Sequence, residues 1–287
     1  DKYDIGETTR RGDFFVVKAA KDKAGQAVSV KAIDVGLAQM LGQSIDALAN
    51  EIELLKRCGG DAGVCSGIEV MRTDTSLCLV LESVGGAALN VQLARGADEN
   101  YTEADARRLA RQAAGAVAYV HAQGVVHRDI TPDNFLFTAK DNIDQIKLCD
   151  FSFAVVTDAD LSDAPGGDPE FQAPEIARDE ANGKAADVWS LGVLVHLLLA
   201  GAPPLHDSNT TRLRQKIGSG RLALGEAPVW PAAASSGALS LLKAVLVVDA
   251  ATRPTAAAVR DHAYFAATDA ALLPTFKKSL REWNETR

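Results

Sequence analysis

The side chains best suited to chemistry are concentrated between positions 127 and 192. Residues 127–134 read HRDITPDN, and residues 150–152 read DFS, beginning sixteen positions after the first segment ends. Aspartate carboxylates and asparagine amides can accept protons or bind hard divalent cations. Residues 173–175 read APE, and residues 187–192 read DVWSLG. A reaction that needs both a base and a bound cation would use these residue types.

In this order and at these separations, the four segments resemble the eukaryotic protein kinase family, which carries H-R-D-x-x-x-x-N, D-F-G, A-P-E and D-x-W-S-x-G. Each motif alone is weakly specific, whereas four in series are highly specific, and the resemblance covers nearly the whole chain. It implies an α+β, two-lobed kinase fold with a small β-rich lobe and a larger helical lobe. It also implies a serine/threonine protein kinase that transfers the γ-phosphate of MgATP to protein hydroxyls.

The resemblance assigns roles to the reactive side chains. Asp129 would be the catalytic base that accepts the hydrogen bond of the substrate hydroxyl. Asn134 and Asp150 would hold Mg²⁺, because both offer oxygen donors to a hard cation. Upstream, the sequence VSVK ending at Lys31 is similar to the family's V-A-I-K strand, so Lys31 would contact the α- and β-phosphates. Glu51 would be its ion-pair partner. A lone lysine or glutamate is usually a solvated surface charge, and only the ordered series favours these roles.

The phosphate-binding loop departs from the family pattern. Aligning Val17 with the valine of G-x-G-x-x-G-x-V places Gly12 at the second glycine, Phe15 at the third and Arg10 at the first. Glycine is needed there because the backbone must approach phosphate without an intervening Cβ. Phe15 would either fill the cleft or pack under the loop and cost only affinity, and the sequence leaves both alternatives open.

We expect ATP and Mg²⁺ as cofactors. The resemblance also places positions at the hinge against the adenine. With these positions included, the expected cofactor-binding residues are Gly12, Val17, Lys31, Glu82, Val84, Asn134 and Asp150.

Three substitutions lie at the reaction centre itself. Ser152 replaces the glycine of D-F-G, which stiffens the start of the activation segment. Thr131 stands where these kinases usually have a lysine that contacts the γ-phosphate, and Asp168 replaces the threonine that bridges that lysine to the base. Loss of the lysine removes transition-state stabilisation, and a carboxylate beside Asp129 should raise the pKa of one of the two. Reduced activity is therefore one expectation, and a pseudokinase acting as a binding scaffold, with or without nucleotide, is the alternative.

Acidic residues dominate the activation segment. Arg128, next to the base, normally needs a phosphate or carboxylate from this segment to order it. One hypothesis is that Asp163 acts as a built-in phosphate mimic, and the alternative is a solvated acidic loop. Asp133 and Glu170 are acidic candidates for binding a basic substrate peptide, whereas Ala88 replaces the glutamate that would complete such a site.

Hydrophobic periodicity gives the elements that must position these residues. It predicts strands over 14–20, 27–33 and 76–81 around one helix, 45–58, and then helices over 102–123, 184–200, 236–247 and 255–263. The expected domains are a kinase N-lobe (1–82), a hinge (83–86), a kinase C-lobe (87–265) and an amphipathic regulatory-type extension (266–287).

The extension has an amphipathic pattern. Phe276, Leu280 and Trp283 share one helical face, and basic residues lie elsewhere, which is typical of calmodulin-type targets. Its position resembles the start of the regulatory segment in calcium/calmodulin-dependent and calcium-dependent protein kinases. Residues 272–287 would then bind calmodulin or an EF-hand segment, although the chain itself contains no EF-hand loop. The alternative is a final helix packed on the large lobe.

Composition excludes some functions. The 287 residues include 30 basic and 38 acidic ones, a net charge of −8, so the concentrated basic surface that nucleic acid requires is not expected. The four cysteines lack C-x-x-C spacing, which argues against zinc; buried thiols in a reducing compartment are the preferred interpretation, with disulfides left open. No apolar run approaches the ~20 residues of a membrane span. We expect a cytoplasmic protein with a protein substrate, although the chain begins with Asp1 and a removed targeting segment stays open.

Overall fold

The strands within residues 2–82 form one antiparallel sheet. Its strands are β1 (Tyr3–Arg11), β2 (Phe15–Asp22), β3 (Ala27–Asp34), β4 (Gly67–Arg72) and β5 (Ser76–Glu82), in the spatial order β1-β2-β3-β5-β4. The predicted strands are confirmed to within one or two residues at each end. The computed structural model describes residues 2–42, 44–95, 100–156, 167–180, 183–226 and 230–287. In the centre of the sheet, Lys31 lies opposite Val17 of β2 and Leu79 of β5.

Two helices follow β3, where the sequence predicted one. α2 (Ile45–Arg57) agrees with the prediction and packs its apolar face, including Ile52, on the sheet. α1 (Val35–Met40) was missed because six residues are too few to show a repeating helical period. It begins where the carboxylate of Asp34 accepts the backbone N–H of Leu37 at 2.9 Å, which caps the helix.

The larger lobe is mainly helical. Its helices are α3 (Leu89–Ala94), α4 (Glu103–Ala122), α5 (Pro174–Ala177), α6 (Lys184–Ala200), α7 (Thr210–Ser219), α8 (Ser236–Val245), α9 (Ala256–Arg260) and α10 (Phe276–Glu285). Short strands β6 (Val125–Val126), β7 (Phe135–Phe137), β8 (Ile146–Leu148) and β9 (Val155–Val156) form two small ladders, β6 with β9 and β7 with β8. Within the described ranges, no helix combines the length and hydropathy needed to cross a bilayer.

Helices α4 and α6 form the centre of this lobe. At the start of α4, Thr102 and Asp105 cap each other's backbone N–H groups, as the sequence predicts. α6 is apolar all round and buried along nearly its whole length. It ends at Gly201 with φ 81°, where a side chain would collide with the carbonyl oxygen of Phe276.

The predicted helix over 255–263 was too long. α9 ends at Arg260 because the next residues form a separate short turn, in which the ring of His262 accepts the backbone N–H of Tyr264. The helix predicted over 236–247 likewise ends early, at Val245. Both errors lie at ends where a side-chain or backbone cap decides the boundary.

The ladder of β7 and β8 also positions the link between the sheet and the helical lobe. Gly86 donates its backbone N–H to the carbonyl of Phe137 at 2.8 Å, and a Cβ at Gly86 would collide with that carbonyl. The link therefore runs directly against β7, which follows the segment carrying Asn134.

A buried ion pair joins two distant parts of the helical lobe. The Arg253 guanidinium binds both carboxylate oxygens of Glu175 at 2.6 Å, and the same guanidinium donates to the carbonyls of Ala185, Val247 and Val248. The side chain of Arg253 has no exposed surface, and that of Glu175 has 5%. Removal of one partner would leave the other charged, buried and unpaired.

Replacement Arg253→Met should lower the free energy of unfolding by about 3–5 kcal/mol, because it leaves the Glu175 carboxylate buried without its counter-ion. Urea denaturation measures this change. Arg260→Met removes an arginine that pairs with Asp261 at the surface and should leave the midpoint within error. Equal midpoints for the two variants would contradict the structural role of the buried pair.

Candidate active site

The ammonium group of Lys31 joins three parts of the chain. Its Nζ lies 2.9 Å from Glu51 Oε2 on α2 and 3.0 Å from Asp150 Oδ1, which follows β8. The side chains of Lys31 and Glu51 are 4% and 0% exposed. Burial alone would lower the pKa of Lys31, but the carboxylates of Asp150 and Glu51 outweigh it and raise that pKa above its ordinary value. Lys31 is therefore a charged, paired cation.

Asp150 is held in an unusual backbone conformation, with φ 61°. Its Oδ1 also accepts the hydroxyl of Ser152 at 2.5 Å, and the Arg10 guanidinium lies 3.7 Å from its Oδ2. Burial would raise the pKa of Asp150, whereas Lys31, the Ser152 hydroxyl and Arg10 together hold it well below the ordinary value. The carboxylate is thus ionised and presents Oδ2 toward the cleft.

Asp187 of α6 fixes the loop that carries Asp129. Its two carboxylate oxygens accept the backbone N–H groups of His127 and Arg128, each at 2.8 Å, and Oδ2 also lies 2.8 Å from His121 Nε2. Arg128 has φ 65°, a conformation that costs energy for a residue with a side chain. The buried carboxylate offsets that cost, so the loop has a single defined shape.

Within this loop, Asn134 supports Asp129. The Asn134 side-chain nitrogen donates to Asp129 Oδ2 at 2.7 Å and to the Asp129 carbonyl at 3.0 Å. Oδ1 of Asp129 is buried and has no hydrogen-bond partner within the described residues. Desolvation of the carboxylate, with the nearby charges of Asp150 and Asp168, raises the pKa of Asp129 to about 7 despite the hydrogen bonds from the Asn134 side chain and the Asp168 backbone. A carboxylate with a pKa near neutrality is suited to accept a proton.

The donors of Asn134 and Asp150 fit a hard divalent cation. Because the Asn134 nitrogen is committed to Asp129, its amide oxygen is the atom that would face a metal, and Asp150 contributes a carboxylate oxygen. Both are oxygen donors of the kind that Mg²⁺ prefers.

A cleft of about 820 Å³ lies between the sheet and the helical lobe, a size that accommodates a nucleotide. Its lining includes Arg10, Gly12 and Phe15 from the sheet and Asp129, Asn134 and Asp150 from the helical lobe. Of the nine predicted site residues, four line this cavity: Gly12, Asp129, Asn134 and Asp150.

Three other predicted site residues are not among those that line this cavity. Val17 pairs with Lys31 across β2 and β3. Val84 is half-buried against the core. The Glu82 carboxylate accepts Lys147 Nζ at 2.5 Å and the backbone N–H of Ser66 at 3.1 Å, so this side chain is committed within the protein.

Phe15 packs beneath the loop and also lines the cleft. Its ring centroid lies 4.9 Å from Lys31 Nζ, its edge meets Phe14, and a Cβ at Gly12 would collide with it. The two alternatives left open by the sequence are therefore combined in one position, since the ring fills space beside Lys31 while it extends the core of the small lobe.

The acidic residues near the cleft are bound by the end of the chain. Arg287 donates to Asp133 at 2.5 Å and to Asp168 at 2.6 Å. The indole of Trp283 donates to Glu170 Oε2 at 2.7 Å, and His206 contacts the other oxygen of Glu170. Sequence reasoning missed these partners, because no local spacing connects position 287 to position 133.

The arginine next to the base has a backbone partner. Arg128 Nε donates to the carbonyl of Phe153 at 2.5 Å. Asp163, proposed from the sequence as a phosphate mimic, lies outside the described residues.

Comparison with known proteins agrees with this geometry. Residues 3–265 match the protein kinase domain. The chain belongs to the protein kinase family. This confirms the family expected from the sequence motifs, and the five-stranded sheet with its helical lobe is the α+β kinase fold.

The kinase domain is similar to several curated kinases. Calcium/calmodulin-dependent protein kinase type 1 of Macrobrachium nipponense is 33% identical over 257 residues, covering 89% of this chain and 72% of that protein. The protein of the same name from Caenorhabditis briggsae is 32% identical, covering 94% and 74%. CBL-interacting serine/threonine-protein kinase 3 of Arabidopsis thaliana is 33% identical, covering 92% of this chain and 58% of its own length.

The raised pKa of Asp129 in this kinase domain should make stability depend on pH. The folded pKa of about 7 exceeds the ordinary 3.8, so the contribution of Asp129 is favourable below about pH 4 and is lost as pH rises to about 7. We expect the Tm of Asp129→Asn, minus that of the native protein, to increase between about pH 4 and pH 7 and to stay constant above about pH 7. Thermal denaturation in metal-free buffer measures the difference.

Asp141→Asn, which removes an exposed carboxylate from the same lobe, is the control and should show no such pH-dependent gain. A constant Tm difference between Asp129→Asn and the native protein from about pH 4 to pH 8 would contradict the raised pKa.

Proposed function

We propose that this chain is a serine/threonine protein kinase that transfers the γ-phosphate of MgATP to protein hydroxyls. The observation that carries the proposal is the paired Lys31 ammonium, in contact with both Glu51 and Asp150 at 3.0 Å or less. The same cleft holds Asp129 and Asn134 on a loop fixed by a buried carboxylate. The similarity to named protein kinases supports the same activity.

In the proposed mechanism each residue has a defined task. Lys31 would hold the nucleotide phosphates, and its position depends on Glu51. Asn134 and Asp150 would hold Mg²⁺, which, when bound, neutralises charge on the phosphates. Asp129 would orient the acceptor hydroxyl and receive its proton, and its pKa of about 7 suits that step near neutral pH.

The substitutions around Asp129 argue for a reduced rate. Thr131 is buried and supplies no positive charge for the γ-phosphate. Asp168 adds a negative charge near Asp129, where the negatively charged phosphate would have to approach. A missing cation at a phosphoryl-transfer site costs about 3–4 kcal/mol of transition-state stabilisation by analogy with other electrostatic deletions.

The alternative function is a pseudokinase scaffold that acts through protein contacts. Phe15 beside Lys31 and the Arg10 guanidinium near Asp150 favour it, because both side chains occupy space that phosphate or metal would use. This alternative predicts the same fold without turnover, with or without nucleotide binding.

A basic protein substrate would meet acidic groups at the cleft. Asp133, Asp168 and Glu170 are the available carboxylates, and Arg287 and Trp283 already contact them. We infer that a substrate arginine would compete with Arg287 for this position.

Calmodulin or an EF-hand segment is the regulatory partner that we propose for residues 272–287. The names of two relatives support it. Phe276, Leu280 and Trp283 are at most 4% exposed, so such a partner would first have to detach α10 from the helical lobe.

We keep as proposals the boundaries 1–82, 83–86, 87–265 and 266–287, and a cytoplasmic location that is consistent with the four free cysteines.

The experiment that tests the enzyme is ADP and phosphopeptide formation from MgATP with a mixture of basic peptides. Turnover should fall at least ~10²-fold in Asp129→Asn, because the variant keeps the shape of the side chain but cannot accept the proton. Asp141→Asn, which removes an exposed carboxylate, should behave as the native chain.

The outcomes separate the two proposed functions. Turnover that survives in Asp129→Asn would exclude Asp129 as the base. No turnover in the native chain, with a rise in Tm on adding MgATP, would favour the scaffold. No turnover and no rise in Tm would contradict the enzyme and favour a scaffold that does not bind nucleotide.

Arg287→Ala should lower KM for an arginine-containing peptide by about three- to fivefold with little change in kcat, because it removes a partly exposed competitor for Asp133 and Asp168. Steady-state kinetics at saturating MgATP measure the split. Lys278→Ala, at an exposed position on α10, the helix that precedes Arg287, is the matched control. An unchanged KM for the Arg287 variant would show that the peptide binds elsewhere.

A further inference from the structure

The hydroxyl of Ser152 lies inside the charged network of the cleft. Lys31 Nζ donates to Ser152 Oγ at 2.8 Å, and Ser152 Oγ donates to Asp150 Oδ1 at 2.5 Å. Glu51 Oε2 lies 3.2 Å from the same hydroxyl. The serine that replaces the family's glycine is therefore in contact with all three charged groups.

The backbone accepts this serine without strain. Among the described residues, positive φ angles outside glycine occur at Arg128, Asp150 and Asp179. Ser152 is not one of them, so its Cβ costs nothing that glycine would avoid. Serine is therefore unstrained here, and the contacts that the substitution adds to the cleft come from its hydroxyl.

The hydrogen bonds of Lys31 are fully used. An ammonium group has three N–H donors. Each has a short acceptor within the chain: Glu51 Oε2 at 2.9 Å, Asp150 Oδ1 at 3.0 Å and Ser152 Oγ at 2.8 Å. The ring of Phe15 covers the same group, with its centroid 4.9 Å away. A phosphate oxygen can therefore bind Lys31 only if one of these acceptors is exchanged.

Ser152 is the acceptor that is exchanged at least cost. The two carboxylates carry the charge that keeps Lys31 ionised, whereas the Ser152 hydroxyl is neutral. A hydrogen bond to a charged acceptor is stronger than one to a neutral acceptor. Replacement of the hydroxyl by an anionic phosphate oxygen is thus the favoured exchange.

We propose that Ser152 is a positioning residue whose hydroxyl competes with a nucleotide phosphate for Lys31. It contacts Lys31, Glu51 and Asp150 together, and it weakens nucleotide binding because phosphate must displace it. The proposal rests on the proposed function only for the ligand class, a nucleoside triphosphate.

Two variants separate the hydroxyl from the backbone. Ser152→Ala removes the hydroxyl and keeps the Cβ, and Ser152→Thr keeps both. Titration calorimetry with a non-hydrolysable ATP analogue and Mg²⁺ gives Kd, and thermal denaturation without nucleotide gives Tm. For Ser152→Ala we expect Tm to fall and Kd to decrease roughly tenfold. The affinity rises because phosphate no longer has to displace a charge-assisted hydrogen bond. Ser152→Thr should restore both values toward those of the native chain.

The opposite signs distinguish this role from ordinary structural support. Ser190→Ala is the matched control, because Ser190 is a buried serine whose hydroxyl donates to the Phe171 carbonyl at 2.7 Å outside the network. It should lower Tm without tightening Kd. A Ser152→Ala variant that resembles this control, with lower Tm and unchanged or weaker Kd, would overturn the proposal.

The measurements do not depend on turnover. A native chain that binds the analogue without phosphorylating any peptide would contradict the proposed enzyme and leave this test intact. Nucleotide binding that appears only in Ser152→Ala would support the displacement of phosphate by the hydroxyl. Absence of binding in both the native chain and Ser152→Ala would overturn it.

Discussion

A single buried ammonium group holds the two lobes in register. Lys31 comes from the sheet, Glu51 from a helix packed on that sheet, and Asp150 from the loop that leads out of the helical lobe. A lysine buried without partners would lose its charge, so the small lobe can close on the large one only where both carboxylates are in place. The Arg10 guanidinium adds positive charge beside Asp150, and the Ser152 hydroxyl donates a hydrogen bond to the same carboxylate. The contacts of Lys31 that join the two lobes are therefore also the contacts that pair its buried charge.

The departures from the family pattern act together on this balance. The cleft lacks a lysine at position 131, and carboxylates at Asp150 and Asp168 surround Asp129. Positive charge reaches the site instead from its edges, from Arg10 on an outer strand and Arg287 at the end of the chain. Both guanidiniums are partly exposed, so solvent and salt screen their charge. Their electrostatic effect on the site is therefore weaker than that of a buried lysine.

The sequence was sufficient for the parts of this molecule that depend on short-range patterns. The order of the motifs gave the family, periodicity gave α2, α4 and α6, and Thr102 marked the start of a helix correctly. It was insufficient where the outcome depends on distant partners. Six-residue helices such as α1 carry too little periodicity, the position of Phe15 depends on a rotamer, and Arg287 reaches Asp133 only through the packing of the last helix. The Ser152 hydroxyl was visible in the sequence, but its three charged partners come from separate elements.

The packing of the last helix has an optical consequence. The indole of Trp283 is 4% exposed, donates to the Glu170 carboxylate and lies under the Arg287 guanidinium. Of the chain's three tryptophans, Trp189 is buried in the core of the helical lobe and Trp230 packs half-buried against it. The surroundings of Trp283 would change from buried and charged to aqueous if α10 left the lobe. Intrinsic fluorescence would therefore report the attachment of α10 directly, without a dye, a substrate or a nucleotide.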